Sequence, residues 1–271
     1  MTTFYRQPGT RHINRLLAGI LTLLLLSVAP ATVRGEGFSE AGFQTFCKRI
    51  FRAAPLVKAI KGEFRRLSIE GTPENTQLFA FEPPYLGLEY RTVSGAKMAD
   101  YDVVTISGRE FGPEQAMIQA GAPPWPNLTG EGLKTSELAF KGRRFLVVSG
   151  GGSGLFQSGS YQQVRFFHLF DLTRTKKIRY YRVASRFGSP GSFGDYNGDG
   201  RLDFVHLASG PDEHGVYEFG FLSIDPSGVS PLRSRSGRVV QIRACMVGDG
   251  EWRILRNEKA PDCPERPKTA P

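Results

Sequence analysis

The chain has 271 residues and a formal net charge of +9, with 40 % hydrophobic, 23 % charged and 11 % aromatic residues. This composition is typical of a globular protein and excludes a disordered or collagen-like chain. The positive charge is compatible with an anionic envelope polymer, with lipid headgroups or with solubility alone. The basic cluster at 174–179 lacks heptads, zinc ligands and an aromatic RNA-binding signature, so we expect no nucleic-acid partner.

Residues 1–31 have the parts of a secretory signal peptide. A segment with three arginines precedes an apolar run over 16–28 and a small-x-small cleavage site at 29–31. The run is shorter than the roughly 20 residues that span a bilayer, although an uncleaved N-terminal anchor is the alternative. We therefore expect a mature chain that begins near Thr32, has no transmembrane span and is periplasmic or secreted.

Helical periodicity occurs near the start of the mature chain. Apolar residues recur at three- and four-residue steps over 39–54, with Ser39 as a candidate N-cap and Pro55 as a stop. The pattern predicts an N-terminal helical segment within 32–56. Its apolar stripe is interpreted as a packing face, with a docking face for a partner as the alternative.

The period then changes to two, which is typical of β-strands. The predicted strands are 66–70, 77–81, 86–93, 101–107, 145–149, 163–172, 178–184, 202–207, 217–224, 238–243 and 252–255. Gly, Pro, Ser and Asn clusters separate them, and no long helices alternate with them, which argues against a parallel α/β sheet. The run 164–170, "VRFFHLF", is apolar on both faces, which predicts an all-β fold of stacked sheets.

Three further segments have a distinct composition. Residues 123–132, "PPWPNLTGEG", form the best candidate for a linker and contain a glycosylation sequon at Asn127. The glycine-rich run in 145–154 follows a strand but lacks the Lys-Ser/Thr pair of a phosphate-binding loop, so we expect a flexible interstrand loop there. Residues 257–271 are predicted to be a Pro-rich, poorly ordered tail.

Three cysteines leave two disulfide pairings open, because export permits oxidation. Cys245 with Cys263 would close a short C-terminal segment and leave Cys47 buried and free. Cys47 with Cys245 is the rival pairing. The spacing of the cysteines has no metal-ligand character.

The stretch "GDYNGDGRLDFVHL", residues 194–207, is the strongest chemical signal in the chain. With Asp195 as position 1, side-chain oxygens fall at positions 3, 5 and 9, which are Asn197, Asp199 and Asp203. Arg201 at position 7 would contribute its backbone carbonyl. Apposed carboxylates in an oxygen-rich loop favour hard Ca²⁺ over the more strictly octahedral Mg²⁺. A tight Asn-Gly and Asp-Gly turn without metal is the alternative.

The flanks distinguish this loop from a helix-loop-helix calcium site. Position 12 is His206 rather than a bidentate glutamate, and the following residues read as a strand. Residues 193–210, "FGDYNGDGRLDFVHLASG", resemble the calcium-loop signature of FG-GAP and VCBS repeats. That resemblance implies a β-propeller-like domain over 57–256, with room for about five blades. It also implies that the five loop residues named above hold a structural Ca²⁺.

The sequence offers little support for catalysis. His168 and His206 lie in apolar strands, His214 lies in a polar loop, and no serine stands in a G-x-S-x-G elbow. The favoured hypothesis is an exported calcium-binding β module without catalysis, which binds a protein or glycan ligand in the cell envelope or supports its structure. An exported hydrolase or lyase with a structural calcium is the alternative.

Overall fold

The computed structural model describes residues 40–94, 101–118, 132–155, 161–210, 215–247, 251–255 and Cys263. The predicted signal segment 1–31, most of the linker candidate 123–132, His214 and most of the tail lie outside the described residues. Within the described residues, no helix is long and apolar enough to cross a membrane.

One α-helix precedes a succession of short strands. Helix α1 spans Glu40–Ile50. The strands are β1 Leu56–Ala59, β2 Glu63–Leu67, β3 Thr76–Glu82, β4 Glu89–Val93, β5 Tyr101–Ile106, β6 Arg109–Phe111, β7 Ala116–Ile118, β8 Lys134–Phe140, β9 Arg143–Leu155, β10 Tyr161–Asp171, β11 Arg179–Ser185, β12 Phe193–Gly194, β13 Leu202–Ser209, β14 Val216–Asp225, β15 Gly228–Pro231, β16 Gln241–Val247 and β17 Glu251–Leu255. The predicted all-β fold with one short N-terminal helix is confirmed.

The described strands form three sheets. Sheet I has the order β2-β3-β4-β5-β6, sheet II has β1-β8-β9-β10-β11-β7, and sheet III has β12-β13-β14-β16-β17 with β15 beside β14. Every pair is antiparallel except β7 with β11. The sheets are curled and stacked in the propeller-like manner predicted. The resemblance implied about five blades, whereas the described strands form three sheets of five or six strands each. Short edge strands such as β1 and β7 add to sheets that the longer strands form.

Sheet II is the central layer, and strand β10 shows why. Phe166 and Phe170 belong to a core cluster that includes Tyr90 of sheet I. Phe167 and Leu169, on the opposite face of the same strand, belong to a second cluster shared with sheet III. Both faces of β10 are therefore removed from water, and its continuous apolar sequence follows from that position.

Helix α1 covers the other face of sheet III. Phe43 and Phe46 are buried against Phe219 and Trp252, with ring centroids of Phe46 5.1 Å from Phe219 and 5.6 Å from Trp252. The apolar stripe of the helix is thus a packing face. Burial of each large aromatic side chain contributes on the order of 1.5–3 kcal/mol.

The glycine-rich run after residue 149 is a strand, and the expectation of a flexible loop there is wrong. Strand β9 continues to Leu155 and pairs with β10, with Gly150 opposite Phe166 and Gly152 opposite Val164. Glycine has a low intrinsic tendency to form strands. Pairing along the full length of β10 outweighs that tendency, because the partner strand is long and apolar.

Two connections bring separate parts of the chain to the loop at 195–201. The β8–β9 hairpin turns over Lys141 and Gly142, with φ of +46° and +75°. These values match a two-residue type I′ turn. On the other side, the segment after α1 forms an antiparallel bridge between Ala53 and Asp195. Asp195 N donates to Ala53 O at 2.7 Å.

Gly194→Ala tests this close approach of the helix exit to sheet III. A Cβ at Gly194 would meet the Phe51 ring at 2.4 Å, whereas a Cβ at Gly151 meets nothing within 4 Å. We expect Gly194→Ala to lower the free energy of unfolding by about 1–3 kcal/mol through overpacking. Gly151→Ala, the matched control on an exposed strand position, should stay within about 0.5 kcal/mol of wild type in urea unfolding. Equal stability of the two variants would contradict the packing of Phe51 on β12.

Candidate metal centre

The candidate loop connects β12 to β13, and its backbone turns where glycine permits it. Gly198 and Gly200 have φ of +83° and +88°, in the left-handed region that other residues rarely adopt. These two glycines let the chain fold back over the Asp195 side chain, which accepts from both of their N–H groups. The Arg52 N–H donates to the Asp195 carbonyl at 2.8 Å, which ties the loop to the segment after α1.

Asp195 is the organising side chain of the loop, and it is fully buried. Its Oδ1 accepts from Gly198 N at 2.6 Å, and its Oδ2 accepts from Gly200 N at 2.9 Å. The Lys141 ammonium donates to the same Oδ2 at 2.8 Å. Burial raises the pKa of Asp195, but the Lys141 contact and the two backbone donors outweigh burial, so the pKa is lowered. Asp195 is therefore a carboxylate with a cation already beside it.

Asn197 and Asp199 lie at the exposed tip and hold its shape. Asp199 N donates to Asn197 Oδ1 at 3.0 Å, and Asn197 Nδ2 donates to Asp199 Oδ2 at 3.0 Å. Arg201 N donates to Asp199 Oδ1 at 2.8 Å. The Arg201 guanidinium lies 3.5 Å from Asp225 Oδ2, away from the loop. The positive charge of Arg201 thus does not oppose a cation within the loop.

Asp203, at the start of β13, is the side chain whose bonding is incomplete. It is fully buried, and its Oδ2 accepts from Tyr196 N at 2.9 Å, whereas its Oδ1 has no hydrogen-bond partner. Burial raises the pKa of Asp203, the Tyr196 N–H lowers it, and the charges of Asp199 and Asp195 raise it, so that the resulting pKa is about 7. Ser223 lies opposite Asp203 on β14. An unpaired buried carboxylate oxygen is costly.

The structure brings the acidic loop residues next to basic ones that sequence reasoning missed. Besides Lys141, the Arg52 side chain packs over Gly198, with its NH1 3.3 Å from the position of a Cβ there. Within the described ranges, no three His, Cys, Asp or Glu side chains are arranged as a metal-binding group. Of the three loop carboxylates, Asp195 is partly neutralised by the Lys141 ammonium, and the three side chains do not converge on one centre.

The donor set nevertheless fits a hard divalent cation in chemistry. Asp195, Asp199 and Asp203 supply carboxylate oxygens and Asn197 an amide oxygen, and these are the ligands that Ca²⁺ prefers. The buried, unpartnered Oδ1 of Asp203 is the group that such an ion would satisfy. The metal-binding role of the Arg201 carbonyl stays a prediction.

A second polar cluster lies between sheets I and II and involves His168. His168 is fully buried, its Nδ1 lies 2.6 Å from the Tyr180 hydroxyl, and the two rings stack. Burial lowers the pKa of His168 to about 3, assisted by the charge of Arg182. The imidazole is therefore neutral at physiological pH and belongs to the core. His206 is also largely enclosed, with its ring against Gly220.

A disulfide joins Cys245 to Cys263, with Cα atoms 5.6 Å apart. It ties β16 to a residue of the C-terminal tail and lies beside Gly215, at the entry to β14. Cys47 on α1 is free and buried, and burial raises the pKa of its thiol far above the ordinary value. A buried, protonated thiol is chemically inert.

Comparison with protein-family models, with curated proteins and with solved structures finds no match for this chain. Membership of the FG-GAP and VCBS repeat family stays a prediction.

The neutral state of His168 predicts a specific acid sensitivity. Between pH 3 and 6.5 the unfolded chain binds a proton at His168 that the folded chain excludes. The free energy of unfolding should therefore fall with falling pH, by about 2 kcal/mol at this residue between pH 8 and pH 5. His168→Gln has no such titration, so it should lose about 2 kcal/mol less than wild type over that interval in urea unfolding. Identical losses would show that folded His168 accepts the proton.

Proposed function

We propose that this chain is an exported, calcium-binding β module that binds a protein or glycan of the cell envelope, or supports envelope structure, without catalysis. The observation that carries the calcium proposal is the fully buried Asp203 carboxylate, whose Oδ1 has no partner while Asp195 and Asp199 lie in the same loop. A divalent cation would relieve the cost of that arrangement.

Four side chains and one carbonyl would hold the ion. The side-chain ligands are Asp195, Asn197, Asp199 and Asp203, and Arg201 would add its backbone oxygen. Because Asp195 also bridges to Ala53, an ion at the loop would stabilise the junction between the helix exit and sheet III. The role of the metal is therefore structural: it fixes the connection between β12 and β13.

Export and weak calcium affinity belong together in this proposal. Extracellular modules that bind Ca²⁺ typically do so with dissociation constants of about 10⁻⁴ to 10⁻³ M. A loop with partly neutralised carboxylates is suited to that range and not to the lower calcium concentrations inside cells. The predicted signal peptide at 1–31 would place the loop where calcium is available.

The proposed binding role rests on the net positive charge of the chain. The mature chain expected after cleavage keeps a net charge of about +6, because the signal segment removes three arginines and no acid from +9. A positively charged, stacked β-sheet scaffold is suited to binding anionic glycans or proteins.

Calcium should raise the melting temperature of the purified protein. At a Ca²⁺ concentration ten times the dissociation constant, binding to the folded state alone adds about 1.4 kcal/mol. For a chain of this size that corresponds to about 3–6 °C. Asp199→Ala should remove most of this response, because it removes one of the proposed calcium ligands. The variant should stay folded, because Asp199 is exposed and its loss leaves the core intact.

Glu74→Ala is the matched control, since Glu74 is exposed in the turn between β2 and β3, remote from the loop in sequence. It should keep the full response to calcium in differential scanning fluorimetry. The same melting temperature for wild type in chelator and in 10 mM Ca²⁺ would refute the calcium proposal and leave a metal-free turn.

A further inference from the structure

We infer that Lys141 is an internal cation that competes with calcium for Asp195, so that the β8–β9 turn sets the calcium affinity of the loop. This inference rests on the proposed function of the loop and names its regulator. Lys141 belongs to sheet II, 54 residues before Asp195, and no sequence motif connects the two residues.

The geometry places the ammonium where a metal ligand must act. Lys141 Nζ lies 2.8 Å from Asp195 Oδ2 and 3.5 Å from the position of a Cβ at Gly200. Oδ2 also accepts from Gly200 N, so both of its acceptor positions are used, whereas Oδ1 accepts from Gly198 N alone. A calcium ion coordinated by Oδ2 would therefore need the direction that the ammonium now uses. The ion and the ammonium would also repel each other at such a distance.

The loop gives independent support for a cation beyond the lysine. Asp203 is fully buried, and its Oδ1 has no partner although Lys141 is already bound to the neighbouring carboxylate. One ammonium therefore satisfies Asp195 and leaves Asp203 unsatisfied. A divalent ion with six to eight ligands can satisfy both.

Lys141 can leave Asp195 at modest cost, because the two partners differ in exposure. The Lys141 side chain is 46 % exposed, whereas Asp195 is fully buried. An ammonium on a flexible stem is strongly hydrated and gains water contacts when it turns outward. Displacement of the Lys141 ammonium into water thus costs less than removal of a buried cation.

The turn itself gives no reason for a lysine at this position. A type I′ turn favours Asn, Asp or Gly at its first central residue, yet Lys141 adopts φ of +46° there. The ammonium lies 5.4 Å from the Phe140 ring centroid, so it is held between the hairpin and the loop. In the calcium-free state the ion pair would connect sheet II to the loop of sheet III. In the calcium-bound state the metal would replace that connection.

Lys141→Met tests the competition, because it keeps most of the stem and removes the charge. Titration calorimetry with CaCl₂ should show about three- to tenfold tighter binding by Lys141→Met than by wild type, the range expected for loss of a partly exposed charged hydrogen bond. In chelator Lys141→Met should melt below wild type, and in saturating calcium the two melting temperatures should converge. Lys177→Met, in an exposed turn, is the matched control and should match wild type in both measurements.

The outcomes separate this inference from the calcium proposal. Calcium binding by Lys141→Met but not by wild type supports the competition, with lysine as the resident cation, and refutes the calcium proposal for the wild-type chain. Equal dissociation constants for wild type and Lys141→Met, with a calcium response in both, overturn the competition and leave the calcium proposal standing. No calcium response in either protein overturns both.

Discussion

The buried carboxylate of Asp195 is the interaction on which this corner of the structure depends. Its backbone pairs with Ala53 after the helix, and its side chain orders the loop amides and reaches Lys141 on sheet II. A fully buried carboxylate is costly unless it is paired and hydrogen-bonded. The backbone of Asp195 and its one buried charge therefore hold three separate parts of the chain at one position.

The layers of the fold follow from the pattern of apolar residues in the strands and the helix, which can be recognised in the sequence. The doubly apolar run around Phe166 and Phe167 predicted a strand covered on both faces, and sheet II is that central layer. The helical stripe over 39–54 predicted a packing face, which α1 provides. Strand β8 and the extension of β9 beyond Ser149 could not be predicted, because polar and glycine-rich strands depend on the partner that they pair with.

The candidate site was predictable in its residue types but not in its electrostatics. Alternating oxygen side chains and two glycines indicate a turn that can hold a cation, and the structure folds the turn in this way. Lys141 carries no local signal for its role, although Lys141-Gly142 between two apolar runs does suggest a tight hairpin. Contact between that hairpin and Asp195 depends on how sheets II and III stack. The pattern of apolar and polar residues along the sequence does not specify that stacking.

We expect a cation to satisfy the loop carboxylates, and calcium and Lys141 to exchange at Asp195. Crystal structures of the protein grown in 10 mM Ca²⁺ and in chelator test this exchange directly. In the first crystal we expect a metal bound by Asp195 and Asp203 at about 2.3–2.6 Å, with the Lys141 ammonium displaced from the carboxylate. A Lys141–Asp195 ion pair in both crystals, without metal in either, would contradict it.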